Sequence, residues 1–210
     1  MSIITSLQFS KTKKRVNVFM DDSYSFTIDK ELIAEGGLYC GKALSKAQIK
    51  ELSDTDIFQR CLDAALHYLT YRPRSETEVR QRLCKHGFCN SVVNKVIVQL
   101  KKQELVDDVS FARYWTDNRI LLYPRSRRLI KHELMQKGIS AEIANEATED
   151  LDDEVNAYLA AQKKIRLLDT YDYNNFRQRL FNYLKTKGYS YEAIDYVSKR
   201  LWNEKSNLSE

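Results

Sequence analysis

Proline and glycine are scarce in this 210-residue chain, with two and six residues respectively. All-β folds punctuate many short strands with those two residues, so their scarcity argues against a sandwich or barrel and towards helices. Nowhere is there an apolar run of about 18 residues, which leaves no candidate for a membrane-crossing helix. The opening MSIITSLQFSKTKKR lacks the basic flank, apolar core and small-residue cleavage site of a secretory signal, so a cytosolic protein without membrane contact is expected. Histidine is limited to His67, His86 and His132, none beside a nucleophile motif such as G-x-S-x-G. The four cysteines, Cys40, Cys61, Cys84 and Cys89, have no paired metal-site spacing. Cys84-x-His86-x-x-Cys89 suggests zinc but lacks a second pair, so reduced thiols, no metal and no cofactor are expected.

What is present is 43% hydrophobic and 30% charged residues with a net charge of +5. The excess is local: nine Lys and Arg oppose six Asp and Glu over 58–108, and ten oppose eight over 153–210. A mild cationic excess fits a protein that meets a polyanion or an acidic protein surface. Near the N-terminus, VNVFMDDSYSFTI (16–28) alternates apolar and polar residues on both sides of Asp21-Asp22-Ser23, with Val16, Val18, Met20, Tyr24, Phe26 and Ile28 on one face. That predicts a hairpin. Ser45-x-x-Gln48 predicts a capping box opening a short helix through Leu52, and SDTD at 53–56 predicts a break after it.

From Phe58 the period becomes helical. Leu62, Ala65, Leu66 and Leu69 form one stripe. Tyr71 to Pro73 ends it, because the residue before proline is pushed out of the helical region. Ser75-x-x-Glu78 restarts a helix with Val79 and Leu83 inward, and Gly87 stops it. A third helix, Ser91 to Lys102, buries Val92, Val96, Ile97 and Leu100 or their near neighbours. The pattern then recurs. Phe111, Tyr114 and Trp115 open a second unit, PRS returns at 124–126, KGI echoes HGF, and Ser140 to Leu151 supplies another third helix. A fainter copy carries Phe176, Leu180 and Leu184, then TKGYS, then Ile194, Val197 and Leu201. Gly87, Gly138 and Gly188 fall 51 and 50 residues apart. The expected fold is therefore mainly α: three tandem three-helix repeats, elongated, with a small β-hairpin-containing head. The expected boundaries are 1–57 for the head and 58–108, 109–152 and 153–210 for the repeats. Such a body offers a lateral surface and no deep pocket, which favours binding over catalysis.

PRSRRLIKHELMQKGI (124–139) places arginines in the first turn of a helix, where the macrodipole disfavours cations. Arg125, Ser126, Arg127 and Arg128, extended by Lys131, are candidates for an anion seat at the helix start. The competing reading is a solvated charged face partly neutralised by Glu133 and the acids of the next helix. The first unit carries a weaker version in Arg72, Arg74, Arg80, Arg82 and Lys85, diluted by Glu76 and Glu78. Lys137 completes the cationic candidates. GGLYCGKA (36–43) nearly spells a phosphate loop, but Ala43 stands where a magnesium-holding hydroxyl is needed and DKELIAE before it is no strand; a glycine turn is expected. Glu104, Asp107 and Asp108 could make a magnesium nuclease centre, yet acids ahead of VSFARYW fit helix caps better. Tyr71 and Tyr123, beside the prolines and arginines, are the tyrosines best placed to stack on bases, the others being expected in helix packing.

ALHYLTYRPRSETEVRQRLCKHGF (65–88), LVDDVSFARYW (105–115) and the recurrence ending ELMQKGI together resemble the bacterial RecX family of recombination regulators. GGLYCGKALSKAQIKEL resembles, more weakly, the head of longer members. Val79, Cys84 and the Tyr173-Asn174-Asn175 start of the third unit depart from the family pattern. The resemblance implies a non-enzymatic protein that binds the RecA recombinase filament on single-stranded DNA, limits its growth or promotes its disassembly, and touches DNA directly. A monomer is expected. The expected interaction residues are the cations read from the sequence itself: Arg72, Arg74, Arg80, Arg82, Lys85, Arg125, Arg127, Arg128, Lys131 and Lys137. The alternative from the residues alone is a direct DNA-binding regulator with the strands at 16–28 as a wing.

Overall fold

The computed structural model describes residues 1–11, 14–165 and 172–207. Strands β1 (Ser2–Phe9), β2 (Arg15–Met20) and β3 (Ser23–Asp29) are followed by α1 (Lys30–Glu35), β4 (Ala43–Leu44) and α2 (Lys46–Leu69). Then come α3 (Glu76–Lys85), α4 (Asn90–Lys102), α5 (Asp108–Leu122), α6 (Arg127–Gln136), α7 (Ala141–Glu146), α8 (Asp153–Ile165), α9 (Tyr173–Thr186) and α10 (Tyr191–Asn207). The three-helix repeats are α2–α4, α5–α7 and α8–α10. The chain forms two compact units, Met1–Arg72 with Arg80–Lys102, and Pro73–Val79 with Gln103–Glu210.

In the first unit the predicted hairpin is β2–β3, closed by Asp21 and Asp22, both at positive φ as a two-residue turn of this kind requires. It belongs to an antiparallel four-stranded sheet of order β3-β2-β1-β4. The sequence reading missed β1 and the two-residue β4. Ile4, Val16, Val18, Met20, Ile28, Leu38 and Leu44 are buried. Tyr24 is not among them: the ladder shifts register between Val18 and Phe19, and the Tyr24 ring lies exposed, edge-on to Phe19.

The capping box at Ser45 and Gln48 is formed, but the short helix is not. One helix runs from Lys46 to Leu69, through the expected break at 53–56 and across the 57/58 boundary. Asp56 explains it. Its buried carboxylate accepts from Arg15 Nη1 and Nη2 at 3.1 and 2.9 Å and from the Asp29 backbone at 2.9 Å, so an acid that looks like punctuation fastens the helix to the hairpin. The GGLYCGK segment is a turn with Gly37 and Gly41 at positive φ. Lys42 Nζ donates to the carbonyls of Gly36 and Gly37 at 2.8 and 3.0 Å, the reverse of a loop that offers N–H groups to phosphate. In the first repeat Cys61, Ala65, Leu83, Val93, Val96, Ile97 and Leu100 are buried, Val93 being the near neighbour of Val92 that the expectation allowed.

In the second unit, Phe111, Ala112, Ile130, Leu134, Ile139 and Ala144 form the core of the middle repeat. Ala157, Ala160, Ala161, Phe176, Leu180, Leu184, Ile194, Val197 and Leu201 belong to that of the last. Helix α7 is shorter than the expected 140–151. After Glu146 the chain tightens into bonds three residues apart, Thr148 N to Asn145 O and Glu149 N to Glu146 O, while the Thr148 hydroxyl donates to Ala144 O at 2.8 Å.

Candidate interaction surface

The two P-R-S segments turn out to be joints. Ser75 and Ser126 are fully buried N-cap positions. Ser75 Oγ accepts from Glu78 N at 3.1 Å and donates to the Lys137 carbonyl at 2.6 Å. Ser126 Oγ accepts from Leu129 N at 3.2 Å, and Ser126 N donates to the Lys187 carbonyl at 3.0 Å. Each joint therefore ties the start of one middle helix to the end of the next repeat's middle helix.

The acidic pairs complete the joints. Asp107 caps its own helix, accepting from Val109 N and Ser110 N, and hydrogen bonding to Ser110 holds its carboxyl below the ordinary range despite some burial. Its neighbour Asp108 reaches back and accepts from Glu76 N at 2.8 Å. In the following repeat Asp152 accepts from Glu154 N and Val155 N, and Asp153 accepts from Arg127 N at 2.7 Å. The capping expectation for Asp107 and Asp108 is met, with the second acid serving the preceding repeat. This also corrects the anion seat at the start of α6. Its leading backbone N–H is occupied by the chain's own Asp153 carboxylate, which supplies the negative charge the macrodipole wants there.

The arginines around that start divide. Arg125 is not the free cation that was expected: its guanidinium pairs with Glu133 Oε1. Glu133 also accepts from Arg119 Nε at 2.7 Å and from Trp115 Nε1 at 2.9 Å. Burial raises the Glu133 pKa, but the hydrogen bonds from Arg119 and Trp115 and the charges of Arg119 and Arg125 more than reverse it, leaving a carboxyl below its ordinary value. Lys137 is also engaged, with its ammonium 2.9 Å from Glu78 Oε1 and 4.1 Å from the Trp115 ring centroid; the Arg119 guanidinium lies 4.3 Å from the same centroid. Arg127 and Arg128, by contrast, are exposed, and neither side chain has a carboxylate partner among the described residues. Lys131 is half-buried one turn on.

On the first repeat, Arg72, Arg74 and Arg80 are half-buried, and Arg80 donates to Asn94 Oδ1. Arg82 is exposed, with its guanidinium 5.5 Å from the Tyr68 ring centroid, and Lys85 is exposed at the end of α3. Tyr71 and Tyr123 are 71% and 59% exposed, so both stacking candidates reach solvent. Two cations escaped notice in the sequence, Arg119 and Lys187. Lys187 could have been found, because it precedes Gly188 as Lys137 precedes Gly138.

Comparison with known proteins places these features in a family. Four family models match in order along the chain: the regulatory protein RecX N-terminal domain over 2–45, and the RecX first, second and third three-helix domains over 61–100, 107–147 and 152–197. The regulatory protein RecX of Listeria welshimeri serovar 6b is 32% identical over 205 residues, which span 96% of this chain and 76% of that one. The chain belongs to the RecX family. A RecX of Clostridium perfringens is 31% identical across 97% of this chain and 98% of its own length. Among solved structures, a regulatory protein RecX shares the fold with a TM-score of 0.66 at 23% identity, covering 95% of this chain and all of that one. RecX from Lactobacillus salivarius has a TM-score of 0.60 at 26% identity, over 70% of this chain and 97% of that one. RecX membership gives the joints their context: in this chain the buried serines, paired acids and glycines tie together the segments matched by successive three-helix domains. It also makes this a regulatory protein, and no helix among the described residues is long and apolar enough to cross a membrane.

Proposed function

We propose that this RecX-family chain regulates homologous recombination and DNA repair in the cytoplasm by binding the RecA filament on single-stranded DNA and limiting its growth, without catalysing a reaction. The observation that carries the reading is the pair Arg127 and Arg128, exposed at the start of α6 with no carboxylate partner among the described residues. Cations left over after a chain's own acids have been satisfied are the ones that can meet an acidic protein surface or a phosphate backbone. Arg82 and Lys85 extend the same character on the first repeat. Arg125 and Lys137 act in this reading by holding the joints, and Arg72, Arg74, Arg80 and Lys131 flank them. Repeats joined end to end can contact several subunits of a filament, and bridging neighbouring subunits holds them away from the geometry that strand exchange needs.

The test is filament length by electron microscopy, with purified recombinase, ATP and single-stranded DNA and the protein at substoichiometric amounts. Wild type shortens the filaments. Arg127→Glu with Arg128→Glu is expected to weaken filament binding at least tenfold, since it replaces two attractive charges by two repulsive ones, with helicity by circular dichroism unchanged. Undiminished inhibition by that double variant removes the reading. Tight, base-selective binding to duplex DNA without recombinase would instead support a direct DNA-binding regulator.

A further inference from the structure

The two joints share a buried serine, a pair of acids and a lysine–glycine turn, but the three residues after the serine differ, Glu76-Thr77-Glu78 at the first and Arg127-Arg128-Leu129 at the second. At the first, Lys137 meets Glu78, and both side chains are largely buried. At the second, Lys187 takes the place of Lys137, and the third residue after the buried serine is Leu129 in place of Glu78. Leu129 packs against the turn, its Cβ 3.0 Å from where a Cβ on Gly188 would lie. No carboxylate among the described residues reaches the half-buried Lys187, whose ammonium lies 5.5 Å from the Tyr183 ring centroid. Arg125 and Arg119 are its charged neighbours, and they share the single carboxylate of Glu133. Burial first, and then those two guanidinium charges, lower the Lys187 pKa, as expected of a cation short of a counter-ion.

We propose that the joint between the second and third repeats is a phosphate-binding seat built from Arg119, Arg125 and Lys187. Three cations against one carboxylate leave an excess that a multiply charged phosphate group neutralises better than one carboxylate does. Arginine adds the planar fork suited to phosphate oxygens, and lysine adds a point charge. The phosphate belongs either to the backbone of a single-stranded nucleic acid or to a free polyphosphate. The exposed Tyr123 ring, two residues before Arg125, is placed to stack on a base in the first case. The seat is distinct from the helix start itself, which Asp153 fills.

The difference between the joints supplies the test. Leu129→Glu rebuilds at the second joint the carboxylate of the first, and so closes the seat from within. Lys187→Gln removes the unpaired cation and serves as the second variant. Pyrophosphate is titrated at low salt against full-length protein, read by calorimetry and by the shift in thermal midpoint. Wild type is expected to bind and to gain in midpoint, as ligand binding to the folded state requires. Leu129→Glu is expected to stay as stable as wild type without ligand while binding pyrophosphate roughly tenfold more weakly or worse, and Lys187→Gln to lose affinity similarly. Competition by oligothymidylate identifies the nucleic-acid source, and its failure to compete identifies the free polyphosphate. The proposal is overturned if wild type gives no response, if both variants respond as wild type does, or if an acidic peptide binds in a variant-sensitive way while pyrophosphate does not. It is independent of the recombinase reading. Filament shortening by a protein that ignores pyrophosphate would leave that reading standing and sink the seat.

Discussion

The three repeated glycines share a left-handed backbone, with φ of +88° at Gly87, +82° at Gly138 and +87° at Gly188, but not their surroundings. A Cβ at Gly87 would meet nothing within 4 Å, whereas at Gly138 it would fall 2.1 Å from Thr77 Oγ1 and at Gly188 2.6 Å from Ser126 Oγ. Gly87 belongs to the first repeat and has no earlier repeat to receive it. Alanine at Gly87 should therefore cost only the backbone strain, about 1 kcal/mol. Gly138→Ala adds a steric clash at a packed joint and should cost about 2–4 kcal/mol, measured by urea unfolding. Equal losses at the two positions would show that the joint contact does not matter. The turn role of these glycines was legible from their spacing. Their contact role was not, because the partners Thr77 and Ser126 lie some sixty residues away in sequence. Glu133 gives a second prediction at this scale. Its folded pKa lies below the ordinary 4.5, so its contribution to stability is present above that value and is lost as pH falls through the folded pKa. Glu133→Gln should lose about 1–3 kcal/mol at pH 7 and show a shallower fall in stability into acid, followed by urea midpoints at neutral and acid pH.

Among the elements, helix starts decide where sequence reasoning succeeds. The capping box at Ser45 and the caps at Ser75, Asp107 and Ser126 were readable because a cap needs only residues within one turn of it. The continuity of α2 was not readable, because Asp56 inside SDTD is satisfied by Arg15 and the Asp29 backbone from the hairpin. The anion seat at the start of α6 failed in part for the same reason: that Asp153 would fill that start is settled by packing between repeats, whereas Glu133, the acid of the competing reading, lies eight residues from Arg125 within the same repeat. What remained visible was the excess of arginine over acid at that start, which survives as the exposed Arg127 and Arg128. The division of labour within the acidic pairs is testable. Asp153→Ala should cost about 1 kcal/mol and speed hydrogen exchange at the Arg127 amide. Asp152→Ala should instead loosen the first turn of α8, at Glu154 and Val155. Identical exchange patterns for the two variants would refute the assignment.

At the scale of the whole chain, apolar burial is divided among clusters. The head cluster contains Ile4, Val18, Met20, Ile28, Leu38 and Leu44. The middle repeat has its own around Phe111, Ile130 and Leu134, and the last repeat another around Phe176, Leu180 and Leu184. Such a chain should behave as a short array in which each module's stability is its own plus a term from its neighbours. Leu180 is 1% exposed in the last cluster, so Leu180→Ala removes its transfer term and opens a cavity, at a cost of about 2–5 kcal/mol. Within one cooperative unit that loss would be felt at every amide; within an array it stays near its source. Hydrogen exchange is therefore expected to accelerate strongly across α8–α10 and less across α5–α7, through the bond from Ser126 N to the Lys187 carbonyl and the Asp153 cap. The amides of Val16, Val18 and Ile28 in the head sheet should keep wild-type protection. A uniform loss of protection in all three regions would mean that the clusters unfold together, and that these repeats are not energetically modular.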